Sequence, residues 1–152
     1  MIADTAHGPV EEIPRLLELV GADVPPVNIG RIAELLGARI YAAELDNPSL
    51  DGLSTIDPAG ATIYVSERLS PEWKRFVVAK ELAHILLERS AKNGIRETDG
   101  SILEIATELL MPREQVMTAW SGSHNARKLA LLFFVPEQVM KTRLAALDVS
   151  PA

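Results

Sequence analysis

The chain has 152 residues, 47% of them hydrophobic, and a formal net charge of −6. Its length suits one domain, which buries about 70% of the surface that the unfolded chain exposes. It contains no cysteine, which excludes disulfides, thiolate metal sites and a cysteine nucleophile, and its acidic balance disfavours direct nucleic-acid binding. The first residues lack the features of a secretory signal, and no apolar run approaches the ~18 residues of a membrane span, so we expect a cytoplasmic protein.

The first half of the chain shows two short helical patterns followed by three strand patterns. Residues 11–20 and 28–37 have helical apolar spacing, and Asn28 is a candidate N-cap of the second helix. The strand segments are rich in β-branched or aromatic residues and are separated by turn signals, which predicts a small antiparallel sheet. These segments are residues 39–45, 51–57 and 61–67.

The second half of the chain is predicted to be helical. The longest helix begins after Ser70, a candidate N-cap, with Pro71 as its first residue. Further helices are predicted at residues 101–112, 125–135 and 136–148. Helices, then strands, then helices indicate an α+β fold in a single domain.

One motif within the longest helix points to chemistry. Zinc peptidases carry His-Glu-x-x-His on a helix, where both histidines reach one ion and the glutamate is the general base for the metal-bound water. This chain has Lys80-Glu81-Leu82-Ala83-His84. Glu81 therefore occupies the position of the general base and His84 that of the second ligand, while Lys80 replaces the first histidine ligand.

The segment around this motif resembles the metal-site helix of the ImmA/IrrE-like metallopeptidases, and three other segments match that family in the expected order. The four segments are "PPVNIGRIAELLGARIY", "RFVVAKELAHILL", "TELLMP" and "LALLFFVPEQVMKTRL". The resemblance predicts an N-terminal helix and lead-in at residues 1–24, a peptidase-like domain at residues 25–147 and a tail at residues 148–152.

The resemblance implies a zincin-like single domain with N-terminal helices, a small sheet, the metal-site helix and C-terminal helices. It also implies a zinc ion held by two histidines and a downstream acid, and protein substrates that are often repressors of phage, mobile-element or stress genes. The family's acid ligand aligns with Ser101 in this chain. Asp99, Glu104 and Glu108 are the nearby acids that could replace it, and Glu104 is preferred, so the candidate metal ligands are His84 and Glu104.

Three interpretations of Lys80 are open. As a neutral amine it would coordinate zinc, although deprotonating an ordinary lysine at pH 7 costs about 4.6 kcal/mol. As an ammonium it would occupy the place of the metal, with Glu81 or Glu104 as the counter-charge, and this interpretation is preferred. In the third, Lys80 extends outward, His84 is a core histidine and Glu81 faces solvent. Helical spacing predicts an inward face made of Phe76, Lys80, Ala83, His84 and Leu87.

The preferred function is that of a regulatory pseudoenzyme, because a site without its metal lacks the activated water. We expect no cofactor, and a protein partner such as a transcriptional repressor or an antitoxin-like DNA-binding protein. The alternative is an active zinc endopeptidase with a non-standard ligand set that cleaves a repressor-type protein. Whether the chain is an enzyme therefore depends on Lys80.

Two other groups of residues give weaker support for a catalytic or metal-binding site. Ser54, Ser66 or Ser123 could act with a histidine, but the chain has no G-x-S-x-G elbow. His124 is a candidate helix cap or late metal ligand, although a surface-loop histidine is the simpler interpretation.

The last two predicted helices, residues 125–135 and 136–148, are spaced like a helix-turn-helix motif and carry some positive charge. The basic residues are Arg127, Lys128, Lys141 and Arg143. DNA binding through these basic residues is the more specific hypothesis, but the apolar content of the two helices favours ordinary packing of a helical pair. The apolar residues are Leu129, Leu131, Phe133, Phe134, Val139, Leu144 and Leu147.

Overall fold

The computed structural model describes residues 9–92 and 101–149, which form seven helices and a three-stranded sheet. The helices are α1 (Pro9–Leu19), α2 (Ile29–Leu35), α3 (Pro71–Lys92), α4 (Ser101–Leu110), α5 (Arg113–Gly122), α6 (Ala126–Phe133) and α7 (Glu137–Ala146). The strands are β1 (Ala38–Ala43), β2 (Gly52–Asp57) and β3 (Gly60–Ser66). The predicted α+β class is confirmed, whereas the candidate acid Asp99 lies outside the described residues.

The sheet is mixed rather than antiparallel throughout, which corrects the prediction from sequence. Its strand order is β1-β3-β2, with β3 in the centre. β1 pairs with β3 in parallel, and Tyr41 lies opposite Tyr64 in that register. β2 pairs with β3 antiparallel, with Leu53 opposite Tyr64. The predicted antiparallel pairing therefore holds only for the β2–β3 hairpin.

The β2–β3 hairpin turn is fixed by Asp57 and Gly60. The Asp57 Oδ1 atom accepts hydrogen bonds from the N–H groups of Ala59, at 2.8 Å, and Gly60, at 3.1 Å. Gly60 has φ of 141°, and a Cβ atom there would lie 2.7 Å from the carbonyl oxygen of Gly37. Glycine is required here because the turn approaches the end of α2 closely.

The helix caps follow the sequence signals. The Asn28 side chain accepts from the N–H of Arg31 at 3.0 Å, as expected for the N-cap of α2. The N-cap of α6 is Asn125, whose side chain accepts from the N–H of Lys128 at 2.9 Å. His124 is therefore not the cap of this helix, because the neighbouring amide already satisfies the first turn.

The hydrophobic core lies between the sheet, α3 and the C-terminal helices. α3 packs against α4, β2 and β3, and α6 packs against α7. The largest fully buried side chains are Val27, Ile32, Ile63, Leu82, Leu86, Leu109, Leu110, Met111, Leu129, Phe133, Met140 and Leu144. α3 is thus held on most of its circumference, which fixes the position of any group on its remaining face. No helix in the described parts of the chain is long and apolar enough to span a membrane.

Arg143 ties α7 to the end of α4. It is 7% exposed, its Nε atom donates to the carbonyl oxygen of Met111 at 3.0 Å, and its Nη2 atom pairs with Glu108 Oε1. Both partners lie where α4 ends. The C-terminal helices are therefore anchored to α4 by a buried cation that has internal partners.

Candidate functional site

The motif residues Lys80, Glu81 and His84 lie in the middle of α3. The helix begins as predicted, with Ser70 Oγ accepting from the N–H of Trp73 at 3.3 Å and Pro71 as the first helical residue. Because α3 is 22 residues long, the motif lies well away from either frayed end. Its backbone is consequently a rigid platform.

Several side chains along one stripe of α3 are open to solvent. Trp73 is 38% exposed, Lys80 is half-buried, and His84 and Glu88 are exposed. At 100° per residue these four positions fall within about a quarter of the helix circumference. We call this stripe the open face of α3. Val77 falls within the same quarter but lies against Gly52 of β2, and Arg89 is an exposed residue outside it. The buried residues on the other sides are Phe76, Val78, Ala79, Leu82, Ala83, Ile85 and Leu86.

Lys80 lies over an aromatic ring on this face. Its Nζ atom is 5.0 Å from the centroid of Phe76, one turn toward the helix N-terminus. Phe76 is 8% exposed and makes an edge contact with Trp73 at 5.9 Å. Helical side chains lean toward the N-terminus, so this contact follows from the backbone itself. The ammonium gains a cation–π interaction there.

The counter-charge expected for Lys80 is not found among the described residues. Neither Glu81 nor Glu104 forms an ion pair with Lys80, nor does any other acid in residues 9–92 and 101–149. The reason is geometric: Lys80 leans back onto Phe76, while Glu81 lies about 100° further around the helix. The expectation of an internal pair is therefore wrong for the described parts of the chain.

His84 does not face inward. The spacing argument placed it with Phe76 and Ala83, yet those two are buried and His84 is exposed. The i, i+4 spacing identifies a common side of the helix, but whether another element covers that side depends on tertiary packing. His84 is thus neither a core histidine nor an inward ligand; it lies accessible on the open face.

Glu81 is half-buried beside the start of β2. A Cβ atom placed on Gly52 would lie 3.8 Å from Glu81 Cγ and only 2.5 Å from Val77 Cγ1. The absence of a side chain at Gly52 lets the strand approach α3 this closely. Strand β2 therefore runs beside the open face of α3, with Glu81 between them.

The two acids proposed on α4 have different environments. Glu104 is exposed in the first turn of the helix, whereas Glu108 is bound to Arg143 and also accepts from the N–H of Arg113 at 3.4 Å. Glu108 is therefore committed to a structural contact. Ser101, which aligns with the family's acid ligand, is the first residue of α4.

The described side chains do not fit a zinc ion. No three His, Asp or Glu side chains among residues 9–92 and 101–149 lie close enough together to hold a metal, so Glu81, His84 and Glu104 do not form such a group. Lysine is also outside the usual set of zinc ligands, and an ammonium repels a dication. The donor set at this position therefore departs from the one that the sequence motif implies.

The serines and His124 that the sequence suggested do not form a catalytic site with another described residue. Among the described residues, Ser54, Ser66 and Ser123 form no hydrogen bond with a histidine, and the hydroxyl of Ser66 accepts from the N–H of Arg68. His124 is exposed and stacks on Trp120 at 4.9 Å. It is thus a surface histidine, as its simpler interpretation predicted.

The basic residues of the closing helices are partly neutralised. Arg143 is buried, Lys141 pairs with Glu137 at 2.9 Å, and Arg127 lies 3.9 Å from the same carboxylate. This favours the packing role over DNA binding. The packing prediction fails at Leu131, which is 75% exposed, and at Phe134, which is also exposed.

Arg75 is a residue that the sequence did not single out. Its Nε atom donates to the carbonyl oxygen of Phe134 at 2.9 Å, its Nη2 atom donates to that of Phe133 at 3.3 Å, and its guanidinium lies 5.4 Å from the Phe134 ring. Burial lowers the pKa of Arg75. Phe134 has φ of 56°, which is rare for a bulky residue, and these contacts stabilise it. Arg75 thereby joins α3 to the α6–α7 turn.

Comparison with known proteins places the chain in a family. Residues 33–145 match the model of the IrrE N-terminal-like domain, Peptidase_M78. A Mycobacterium tuberculosis transcriptional regulator has the same fold with a TM-score of 0.61 and 17% sequence identity. The similarity covers 91% of this chain but 52% of that protein, so the chain spans about half its length. No curated protein matches the sequence. With the family model extending over most of its length, the chain belongs to the IrrE N-terminal-like domain family.

Proposed function

We propose that this chain is a regulatory protein with a metallopeptidase fold, which binds a protein partner and has a degenerate zinc site. The observation that carries the proposal is Lys80, which stands at the first ligand position with its ammonium held over Phe76. A hydrolytic zinc site needs three protein ligands and an open position for water. A fixed cation at one of these positions opposes metal binding.

The same region offers a surface for a protein segment. In the described sheet, β2 is an edge strand, and edge strands present unpaired backbone groups to an extended peptide. The strand lies next to the open face of α3, where Trp73 provides apolar area and Lys80 provides charge. This combination of backbone groups, apolar area and one cation supports binding without cleavage.

The partner that we propose is a DNA-binding repressor or an antitoxin-like protein. Support comes from the resemblance to the ImmA/IrrE-like metallopeptidases, which implies repressor-type substrates, and from the fold shared with a transcriptional regulator. The basic residues of α6 and α7 give little support for direct DNA contact, because Arg143 is buried and Lys141 is paired. The regulatory effect would therefore pass through the partner.

An active zinc endopeptidase is the second candidate. It is favoured by the retention of Glu81 and His84 on α3, with His84 accessible to solvent. That candidate requires a ligand set different from the one the motif normally supplies. The two candidates differ in what happens to the bound partner, so they are separable by experiment.

The test mixes the purified chain with repressor-type DNA-binding proteins of its source organism, each purified separately. We expect a stable complex by size-exclusion chromatography, with the partner intact by mass spectrometry after prolonged incubation. Glu81→Gln should change neither result, because no hydrolysis depends on that carboxylate. Cleavage by the wild-type chain that Glu81→Gln abolishes would establish the peptidase instead, and failure to form a complex would overturn the regulatory proposal.

A further inference from the structure

Lys80 is a half-buried cation without an internal counter-charge in the described parts of the chain. No acid in residues 9–92 and 101–149 lies within 4.0 Å of its ammonium. Partial burial removes part of the hydration shell of the ammonium, so an anion next to it would interact more strongly than with a fully hydrated lysine. An anion from another molecule would supply the missing partner.

The ammonium is also held in a defined place. The Phe76 ring under Nζ is itself buried, and Trp73 packs against its edge. A freely rotating lysine side chain loses rotamer entropy when it is fixed by a ligand. Because the ring already restricts Lys80, less of that entropy remains to be lost on binding, which is preorganisation.

The surrounding charges select the kind of anion. Glu81 follows Lys80 directly and Glu88 lies about two turns further along α3, so both add negative charge to this side of the molecule. Lys80 is in the middle of the helix rather than at its N-terminus. Phosphate sites usually combine several cations with the free N–H groups of a helix N-terminus. A single cation with acids nearby suits a monoanion, and a dianion would be repelled more strongly.

We propose that Lys80 binds a side-chain carboxylate of an acidic segment of the partner, with Trp73 contacting an apolar residue next to that carboxylate. This inference rests on the proposed function and specifies the chemistry of the partner. The Lys80 ammonium would then act in recognition, at the helix position where the family motif has a metal ligand. His84, one turn further along the open face, would flank the bound segment.

The experiment titrates the ¹⁵N-labelled full chain with synthetic five-residue peptides that are blocked at both ends. One peptide carries glutamate between leucines, the second carries glutamine there, and the third carries phosphoserine. We expect the glutamate peptide to bind about tenfold more tightly than the glutamine peptide, as one charge-assisted contact predicts. Amide shifts should concentrate at residues 73–84.

Variants test whether the preference for the glutamate peptide depends on Lys80. Lys80→Met should remove the preference for glutamate, and Lys80→Arg should retain most of it because the charge remains. Lys74→Met is the matched control, since Lys74 lies on α3 but off the open face, and it should leave the preference unchanged. Equal affinity for the glutamate and glutamine peptides, tighter binding of phosphoserine, no binding, or an unaltered preference in Lys80→Met would each overturn the proposal.

The peptide titration and the partner-complex experiment can fail independently of each other. If the partner complex forms equally well with Lys80→Met, the regulatory function stands and the carboxylate site is wrong. If the glutamate peptide binds through Lys80 but no partner complex forms, the site stands and the proposed function is wrong. Thermal unfolding of each variant confirms that the folded state is being compared.

Discussion

Arg143 on α7 and Lys80 on α3 are basic side chains in contrasting environments. Arg143 is 7% exposed and has two internal partners, Glu108 and the Met111 carbonyl oxygen. Lys80 is half-buried and contacts the Phe76 ring, but it has no ion pair in the described parts of the chain. The first cation completes the fold, whereas the second lies on a surface that the fold leaves open.

The contrast separates stability from function. A buried cation with its partners in the same chain is costly to remove, because the acceptors lose a charged donor and the missing side chain leaves a void in the core. A cation without an internal ion pair contributes less to folding, because its removal leaves no acid without a partner. We therefore expect substitutions at the two positions to affect different measurements.

The largest expected effect is from Arg143→Met. It removes the charged donor from the Met111 carbonyl oxygen and from Glu108, which keeps only its longer hydrogen bond from the N–H of Arg113 among the contacts described above. We expect the free energy of unfolding to fall by about 3 kcal/mol in urea denaturation. Arg127→Met is the control, since the Arg127 side chain is 82% exposed and its acid is 3.9 Å away. A loss below about 1 kcal/mol for Arg143→Met would show that α7 is anchored by other contacts.

Gly52→Ala tests how closely β2 approaches the open face. The new Cβ atom would lie 2.5 Å from Val77 Cγ1 and 3.0 Å from the Tyr64 carbonyl oxygen, so we expect a loss of about 1–3 kcal/mol. Gly122→Ala is the matched control, because no atom lies within 4 Å of its added Cβ. It should be neutral or slightly stabilising. If both variants unfold at the same urea concentration, β2 does not press against α3 in this way.

Lys80→Met should have a small effect on stability. The cation–π contact with Phe76 contributes about 0.5–1 kcal/mol, and methionine retains much of the apolar stem. We therefore expect a change within about 1 kcal/mol in the same urea experiment. A loss as large as that of Arg143→Met would place Lys80 among the structural cations and remove the contrast between the two sites.

The smallest effect concerns the Glu137–Lys141 pair on α7. A hydrogen bond and the charge of Lys141 hold the pKa of Glu137 below its usual value. Because the pKa is depressed in the folded state, the stabilisation is present above the unfolded-state pKa and is lost as the pH falls through the folded-state pKa. An NMR titration of the carboxyl group should show its midpoint rising in Lys141→Met. An unchanged midpoint would show that the pair does not persist in solution.

The fold was largely predictable because its signals are local. Asn28, Ser70 and Pro71 mark helix starts through side-chain and backbone chemistry that needs no tertiary context. Helix α5 was missed because its pattern is weak: Val116 is the buried residue of a short segment with polar residues at half of its positions. The parallel pairing of β1 was missed because chain order does not reveal which strand is central.

The candidate site was less predictable than the fold. The sequence identified Lys80, Glu81 and His84 as one helical constellation, and all three lie in α3. It did not predict that His84 is exposed or that Lys80 lies over Phe76, because both depend on what covers the helix. Arg75 was missed for the same reason, since its partners Phe133 and Phe134 are distant in sequence.

The zinc content of the purified 152-residue chain decides whether Lys80 has abolished the metal site. Because Lys80 replaces the first histidine ligand and its ammonium opposes a dication, we expect far less than one zinc ion per chain by elemental mass spectrometry. The melting temperature should also be the same with and without a chelator. One zinc ion per chain, with a melting temperature that falls when the chelator removes it, would contradict the account.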